Sequence, residues 1–189
     1  PLDLATLEPY YSKAEDRMGV TGTHGIPRLP GNNNYKVLEA GGRKVGYRQI
    51  DTNNVAINSL PRDGRGACLQ TGFCTSGCVV KAKWSTLYTE IPKAEQTGHF
   101  ELRPESMAIR IEHDTSGKVD SVWYLDRNGV LCKQKARFVC VAGNAIETSR
   151  LLLNSNSEQF PDGLANRSGQ VGRNYMRHMI AGVVGRMPG

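Results

Sequence analysis

The sequence lacks the long apolar runs that mark membrane-spanning proteins and secretory precursors. No window approaches about eighteen uninterrupted apolar residues, so no membrane span is predicted. The opening residues, Pro1 to Leu4, carry neither the basic nor the apolar stretch of a signal peptide, and there is no initiator methionine. The end of the chain follows an apolar run and has no tail. We therefore expect the 189 residues to be an internal part of a longer protein.

Local motifs of several enzyme classes are also missing. There is no complete Gly-x-Gly-x-x-Gly opening, and the nearest glycine pair, Gly41 and Gly42, follows a helix-like run rather than a strand. A Gly-x-Ser-x-Gly nucleophile elbow is absent, and no serine, histidine and aspartate have the local setting of a catalytic triad. The residues alone therefore identify no catalytic group.

The charge of the chain does not indicate a nucleic-acid partner. The net charge is +6, but lysine and arginine alternate with aspartate and glutamate throughout. No basic stripe interleaved with aromatic residues is present, as a nucleic-acid-binding face would require. We interpret the excess positive charge as belonging to solvent-exposed surface residues. These residues could also help to dock a partner subunit.

The first half of the chain is predicted to be helical at two places and irregular elsewhere. Residues 3–18 have apolar side chains at helical spacing, and Pro9 inside this stretch predicts a kink or a restart of the helix. A loop over residues 23–35 precedes a second helix at Lys36–Lys44. In the irregular part that follows, a short strand is predicted at Asn54–Ile57.

An antiparallel meander is predicted over residues 100–136. Apolar and polar side chains alternate over Met107–Ile111, which is typical of a half-buried strand. Second and third strands are predicted at Val119–Asp126 and Val130–Lys135. The turn between them contains Asn128-Gly129, which is a strong hairpin signal.

A different pattern follows the meander. The continuous apolar run Phe138–Ala142 is typical of a strand buried on both faces, as in a parallel sheet. Gly143 follows, and Ile146–Asn154 is predicted to be a helix with Leu151–Leu153 packed inward. This order of strand, turn and helix predicts a βα unit, and ligands bind at such turns in open α/β sheets.

Five cysteines are present, and three of them cluster as Cys68-x5-Cys74-x3-Cys78. Glycines and small residues between them would let the backbone fold around a ligand and donate N–H groups to sulfide. Three explanations stay open: ligation of a metal or cluster, a disulfide that leaves one thiol over, and inert buried thiols. Cys132 and Cys140 lie in predicted strands and are expected in the core.

Three segments resemble the glucose–methanol–choline (GMC) oxidoreductases, FAD enzymes that oxidise alcohols and sugars. Val141–Ser155 is similar to the family's second signature, a strand–turn–helix, with Ser149 where proline is usual. Val171–His178 is similar to Val-Gly-x-Asn-Leu-x-Asp-His, with Arg177 in place of the aspartate, so no role is carried over from that carboxylate. Ala82–Tyr88 resembles the segment that enters the family's helix before its FAD-binding meander.

The resemblance implies a fold class and a division of the chain. We expect an α/β or α+β fragment that comprises an edge of the FAD domain, with the meander, one buried parallel strand and the βα unit. Residues 1–99 would hold the linker helix and an irregular cysteine-containing segment at the FAD–substrate interface. Residues 100–178 would belong to the FAD-binding domain, and residues 179–189 would begin the substrate domain. The family's pyrophosphate loop and catalytic histidine would lie outside this stretch.

By the same resemblance, one wall of the FAD site is expected in this stretch. Seven residues would form it: Met107, Gly143, Asn144, Ala145, Glu147, Gly172 and Asn174. The backbone of the methionine would pair with the adenine edge, and the turn residues with the glutamate would pack near the adenine and ribose. The last glycine and asparagine would approach the isoalloxazine side.

The cysteine spacing is similar to that of catalytic subunits of bacterial FAD sugar and polyol dehydrogenases. In those proteins three cysteines hold a three-iron, four-sulfur cluster, so the resemblance implies that Cys68, Cys74 and Cys78 are metal ligands. The implied substrate is a sugar, sugar acid or polyol. The implied partners are a cytochrome subunit and a small chaperone-like subunit, on the periplasmic side of a bacterial inner membrane. An oxygen-using alcohol oxidase without a cluster and a standalone protein-binding module are the alternatives.

Overall fold

The structure is a computed structural model that describes residues 3–179, 182 and 184–186. The chain divides into two compact units, Pro1–Glu101 and Leu102–Gly189. The assignment of these parts to cofactor and substrate domains stays a prediction, and much of the expected start of the substrate domain at residues 179–189 lies outside the described residues. No helix of the described part is long and apolar enough to cross a membrane.

The first helix, α1, is continuous over Leu4–Met18. Its N-terminus is capped by Asp3, whose carboxylate accepts a hydrogen bond from the backbone N–H of Thr6 at 2.8 Å. Pro9 lies inside the helix, so the predicted restart is wrong. Proline removes a single backbone donor, and the turns on both sides of it keep their own hydrogen bonds.

Two further helices belong to the first unit. Helix α2 spans Asn33–Lys44 and begins three residues before the predicted start. The reason is a cap: the side chain of Asn32 accepts a hydrogen bond from the backbone N–H of Tyr35 at 3.0 Å. The short helix α3 spans Glu90–Glu95.

The predicted strand at Asn54–Ile57 is not formed. Only Ile57 makes an isolated antiparallel bridge, to Lys83. Neighbouring backbone hydrogen bonds run from Asn58 N to Ala82 O at 2.9 Å and from Trp84 N to Ala56 O at 2.8 Å. These two bonds flank the single bridge, and no second bridge follows it. The two segments are therefore hydrogen-bonded to each other without forming strands.

The predicted meander is confirmed in the second unit. Strands β1 (Met107–His113), β2 (Val119–Leu125) and β3 (Leu131–Lys135) form an antiparallel sheet in the order β1-β2-β3. Each turn is stabilised by an aspartate. The carboxylate of Asp114 accepts two backbone N–H groups at 2.9 and 3.0 Å in the first turn, and that of Asp126 accepts two at 2.8 Å in the second.

The predicted buried strand at Phe138–Ala142 is wrong. No strand is assigned there, and Phe138 is 87% exposed. Val139 and Val141 pack against the core, while Phe138, Cys140 and Ala142 are exposed. A strand of a parallel sheet needs neighbouring strands for its backbone groups, and none of the described strands pairs with this segment.

The helix of the predicted βα unit is confirmed and packs on β1. This helix, α4, spans Asn144–Asn154 and begins two residues before the predicted start. Leu151 is buried in a small core with Ile111 and Leu164. Leu153 is 40% exposed, so the prediction that all three leucines pack inward holds only in part.

A buried serine joins the end of α4 to the sheet edge. The hydroxyl of Ser155, which is 1% exposed, accepts a hydrogen bond from the backbone N–H of Ile111 at 2.9 Å and donates one to the carbonyl of Leu151 at 2.6 Å. The Ser155 hydroxyl therefore provides hydrogen-bond partners for a backbone N–H of β1 and for a backbone carbonyl in the last turn of α4.

Replacing Ser155 by Ala is expected to lower the free energy of unfolding by about 1–3 kcal/mol, because the Ile111 N–H is left buried without a partner. Hydrogen–deuterium exchange of the Ile111 amide in the whole protein measures this locally. Ser149→Ala, which removes only a hydroxyl bonded to the Ala145 carbonyl of the same helix, is the control and should change little. Equal exchange in the two variants would contradict the prediction.

Candidate cofactor-binding site

The turn that opens α4 has the geometry of a capped helix N-terminus. Asn144 adopts a φ of +68°, and its side-chain oxygen accepts hydrogen bonds from the backbone N–H groups of Ile146 at 2.9 Å and Glu147 at 3.1 Å. The N–H of Gly143 donates to the hydroxyl of Thr148 at 3.1 Å. Asparagine tolerates the left-handed region better than most residues, which explains the Gly-Asn sequence at this position.

Three of the seven predicted cofactor residues share one cavity of about 390 Å³, here called the meander cavity. Met107 lines it from the start of β1, and Gly143 and Glu147 line it from the first turn of α4. The structure thus brings together residues that are 40 positions apart in the sequence. The volume lies within the range of pockets that bind small molecules.

The other four predicted residues line a larger, open cavity of about 1210 Å³, here called the helix cavity. Asn144 and Ala145 lie at one side, and Gly172 and Asn174 lie at the other. The two cavities share Val141, Ala142 and Arg150 in their linings, so they adjoin across the start of α4. All seven predicted residues therefore line the two adjoining cavities beside α4.

The far side of the helix cavity is fixed against α4 by close packing. A Cβ on Gly172 would lie 3.3 Å from the side chain of Leu153, so the absence of a side chain lets this loop approach the helix. Asn174 donates a side-chain hydrogen bond to Gln170 at 2.9 Å. The loop is therefore tied within itself and lies close against α4 at Gly172.

Arg150 is a site residue that the sequence reasoning missed. It lines both cavities, and its guanidinium pairs with the carboxylate of Glu147 at 2.6 Å. Glu and Arg three residues apart lie on one face of a helix, and this spacing was the signal that could have found it. The pair places one positive and one negative group at the boundary of the two cavities.

The three clustered cysteines line one cavity in the first unit. Cys68, Cys74 and Cys78 surround a volume of about 310 Å³, here called the cysteine cavity, and all three are free thiols. Gly77, also in its lining, adopts a φ of +124°, which only glycine adopts readily. Within the described residues, no three histidine, cysteine, aspartate or glutamate side chains are grouped so that they could hold one metal ion.

The two remaining cysteines differ from each other. Cys132 lies in β3 and is half-buried. Cys140 is exposed and lines the meander cavity, so its predicted place in the core is wrong. The reason is that the segment around it forms no strand, and only its two valines turn inward.

The base of the cysteine loop is held by backbone hydrogen bonds and a buried arginine. Arg65 is 3% exposed, and its guanidinium donates to the carbonyls of Lys81 at 3.3 Å and Ala82 at 3.4 Å. The N–H of Gly66 donates to Val80 O at 3.0 Å. The residues on both sides of the loop are therefore fixed to each other.

Comparison with known proteins gives one family and several relatives. The GMC oxidoreductase family profile matches residues 2–180. The 6'''-hydroxyparomomycin C oxidase of Streptomyces lividus is 38% identical over 92% of this chain and 34% of its own length. The paromamine 6'-oxidase of Streptomyces fradiae is 35% identical over 97% of the chain and 36% of its own length. The fructose dehydrogenase large subunit of Gluconobacter japonicus is 32% identical over 91% of the chain and 34% of its own length. The chain thus spans about a third of the length of these curated relatives.

Proposed function

Because the chain belongs to the GMC oxidoreductase family, we propose that the protein oxidises an alcohol group of a sugar, sugar acid or polyol by hydride transfer to FAD. The observation that carries the proposal is the arrangement of the seven residues expected to contact the cofactor. They line two adjoining cavities beside α4. The family match covers residues 2–180, a range that includes all seven positions.

The chemistry of the two cavities fits a dinucleotide cofactor. FAD supplies the acceptor of the hydride, and the protein supplies binding and orientation. Most of the lining residues are small or apolar, which suits a flat aromatic system. Glu147 and Arg150, which pair at 2.6 Å, place polar groups at the boundary of the cavities. We infer that Met107 and the Gly143–Ala145 turn hold one end of the cofactor and that Gly172 and Asn174 approach the other.

We further propose that Cys68, Cys74 and Cys78 hold an iron–sulfur cluster that passes electrons to a cytochrome subunit. Three free thiols around one cavity are the donor set that such a cluster uses. A relative that is named as the large subunit of a fructose dehydrogenase is consistent with an assembly of several subunits. A bound cluster would carry single electrons away from a two-electron donor.

A second candidate is an oxygen-using alcohol oxidase in which the three cysteines have no ligand. Two of the relatives are named as oxidases, and the described residues contain no ready-made group of metal ligands. A standalone protein-binding module is not favoured, because the chain matches an enzyme family over residues 2–180.

The test uses the whole protein, purified without oxygen and mixed with a panel of sugars, sugar acids and polyols. We expect a flavin absorption band that one class of substrate bleaches, and about three iron atoms per flavin with an electron paramagnetic resonance (EPR) signal. Flavin that is bleached by substrate and recoloured by oxygen, in a protein without iron, would establish the oxidase. A protein that binds no flavin would overturn both candidates.

A further inference from the structure

Arg150 is, within the described residues, the one charged residue that lines both cavities. The other charged lining residues are Glu147 in the meander cavity and Arg173 in the helix cavity. The Nε of Arg150 donates a hydrogen bond to Oε2 of Glu147 at 2.6 Å. The two terminal nitrogens of the guanidinium make no hydrogen bond to another described residue. Their N–H groups are therefore available to a ligand at the boundary of the cavities.

The pair of Glu147 and Arg150 contributes little to the stability of the fold. The side chain of Arg150 is 38% exposed and that of Glu147 is 51% exposed, and the two lie three residues apart on α4. Exposed ion pairs of this kind stabilise a protein by less than about 1 kcal/mol. Substitutions in the pair should therefore leave the fold intact, so that their effect on a ligand can be measured separately.

The arrangement of the two cavities matches the arrangement of chemical groups in FAD. The cofactor has two aromatic systems joined by a polar chain that contains ribose and phosphate groups. Each cavity has mostly small or apolar lining residues, and the two cavities adjoin where Glu147 and Arg150 lie. With one aromatic system in each cavity, the polar chain crosses the boundary. A few polar groups placed at such a point fix the orientation of a ligand in an otherwise apolar site.

We propose that Arg150 binds the ribose and phosphate groups of the cofactor through its terminal N–H groups, and that Glu147 is a positioning residue that holds the guanidinium for this contact. This inference rests on the binding of FAD proposed above. A guanidinium presents its donors in one plane, which suits phosphate and hydroxyl oxygens. Because Glu147 already binds Nε, the guanidinium has fewer orientations to lose when the cofactor binds.

Arg43 and Glu39 on α2 provide a matched control. Their side chains also pair at 2.6 Å within one helix and are also partly exposed. Arg43 belongs to the described lining of neither cavity. Arg43→Met and Arg150→Met each remove one positive charge and break one such pair. The comparison therefore separates contact with the cofactor from the loss of an ion pair.

The test is the reconstitution of the FAD-free whole protein, followed by flavin fluorescence, with ADP as a competitor. We expect Arg150→Met to weaken the binding of FAD by about ten- to a hundredfold. The binding of ADP should weaken by a similar factor, because ADP carries the ribose and phosphate groups without the flavin ring. Glu147→Gln should weaken both by a smaller factor, since the guanidinium keeps its donors but is held less firmly. Arg43→Met should match the unchanged protein.

The outcomes separate this inference from the proposed function. If the unchanged protein binds no flavin, the proposed function and this inference fall together. Equal binding of FAD by Arg150→Met and Arg43→Met would overturn the role of Arg150 alone. Weaker binding of FAD by Arg150→Met with unchanged competition by ADP would also overturn it, because the contact would then lie outside the ribose and phosphate groups. So would a lower unfolding temperature of FAD-free Arg150→Met than of Arg43→Met, because the role of Arg150 would then be structural.

Discussion

Replacing Gly163 by Ala is expected to lower the free energy of unfolding of the second unit by about 3–5 kcal/mol. Gly163 has a φ of +93°, and an added Cβ would lie 2.6 Å from the carbonyl oxygen of Leu152 and 2.8 Å from the Cα of Leu153. Both atoms belong to the backbone of α4, so a side-chain rotation cannot relieve the clash. The next residue, Leu164, is part of the core and donates its N–H to Leu152 O at 2.9 Å. The substitution should therefore separate this loop from the helix and open the core.

Thermal unfolding of the whole protein, with hydrogen–deuterium exchange over α4, measures the effect. Gly169→Ala is the matched control, because Gly169 also has a positive φ, +68°, but no atom lies within 4 Å of its added Cβ. Only the backbone cost of about 1–2 kcal/mol applies there. If the two variants exchange over α4 at the same rate, the close approach of loop and helix is not as the structure has it.

Replacing Cys74 by Ser is expected to remove the iron of the proposed cluster and its EPR signal while flavin stays bound. Cys74 is the central member of the three thiols around the cysteine cavity, and its carbonyl is held by Lys83. Two remaining thiolates leave one corner of the cluster without a sulfur ligand, and a serine hydroxyl is a poor replacement for a soft thiolate. Anaerobic iron and flavin analysis of the whole protein gives the ratio directly.

The control for this variant is Cys132→Ser, which removes a thiol from β3 in the second unit and should keep all the iron. The flavin content separates loss of the cluster from general misfolding, since the residues expected to bind flavin lie in the second unit. An unchanged ratio of iron to flavin in Cys74→Ser would contradict the ligand role. Iron lost equally from both cysteine variants would point to instability and would also count against it.

The meander could be predicted because its signals are local. Alternating side chains mark β1, and the turns that bound the strands carry Asp114, Asp126 and the Asn128-Gly129 pair. The hydrogen bonds of the two aspartates reach only two to four residues along the chain. Helices α2 and α4 were likewise predicted, with starts three and two residues late, respectively. Those errors came from Asn32 and Asn144, whose caps depend on a side-chain conformation that a periodic pattern does not reveal.

The segment after the meander could not be predicted in the same way. A continuous apolar run indicates burial but not the partner that provides it. In the structure Val139 and Val141 pack on the core of the second unit, and Phe138 and Cys140 stay exposed. Whether such a run becomes a strand is decided by backbone hydrogen bonds to other strands, which lie far away in the sequence or outside it.

The sequence by itself determined the meander, helices α1, α2 and α4 and the resemblance to the GMC family, since these depend on neighbouring residues and on ordered motifs. It also identified seven cofactor residues and three cysteines as candidates. Only the tertiary structure decided which of them meet: Met107 joins Gly143 and Glu147 in one cavity, and Arg150 joins the site without having been predicted. The place of Lys83 beside Cys74 was decided in the same way. The meeting of Met107 with the α4 turn depends on packing between segments that are distant in the sequence, and no local pattern records it.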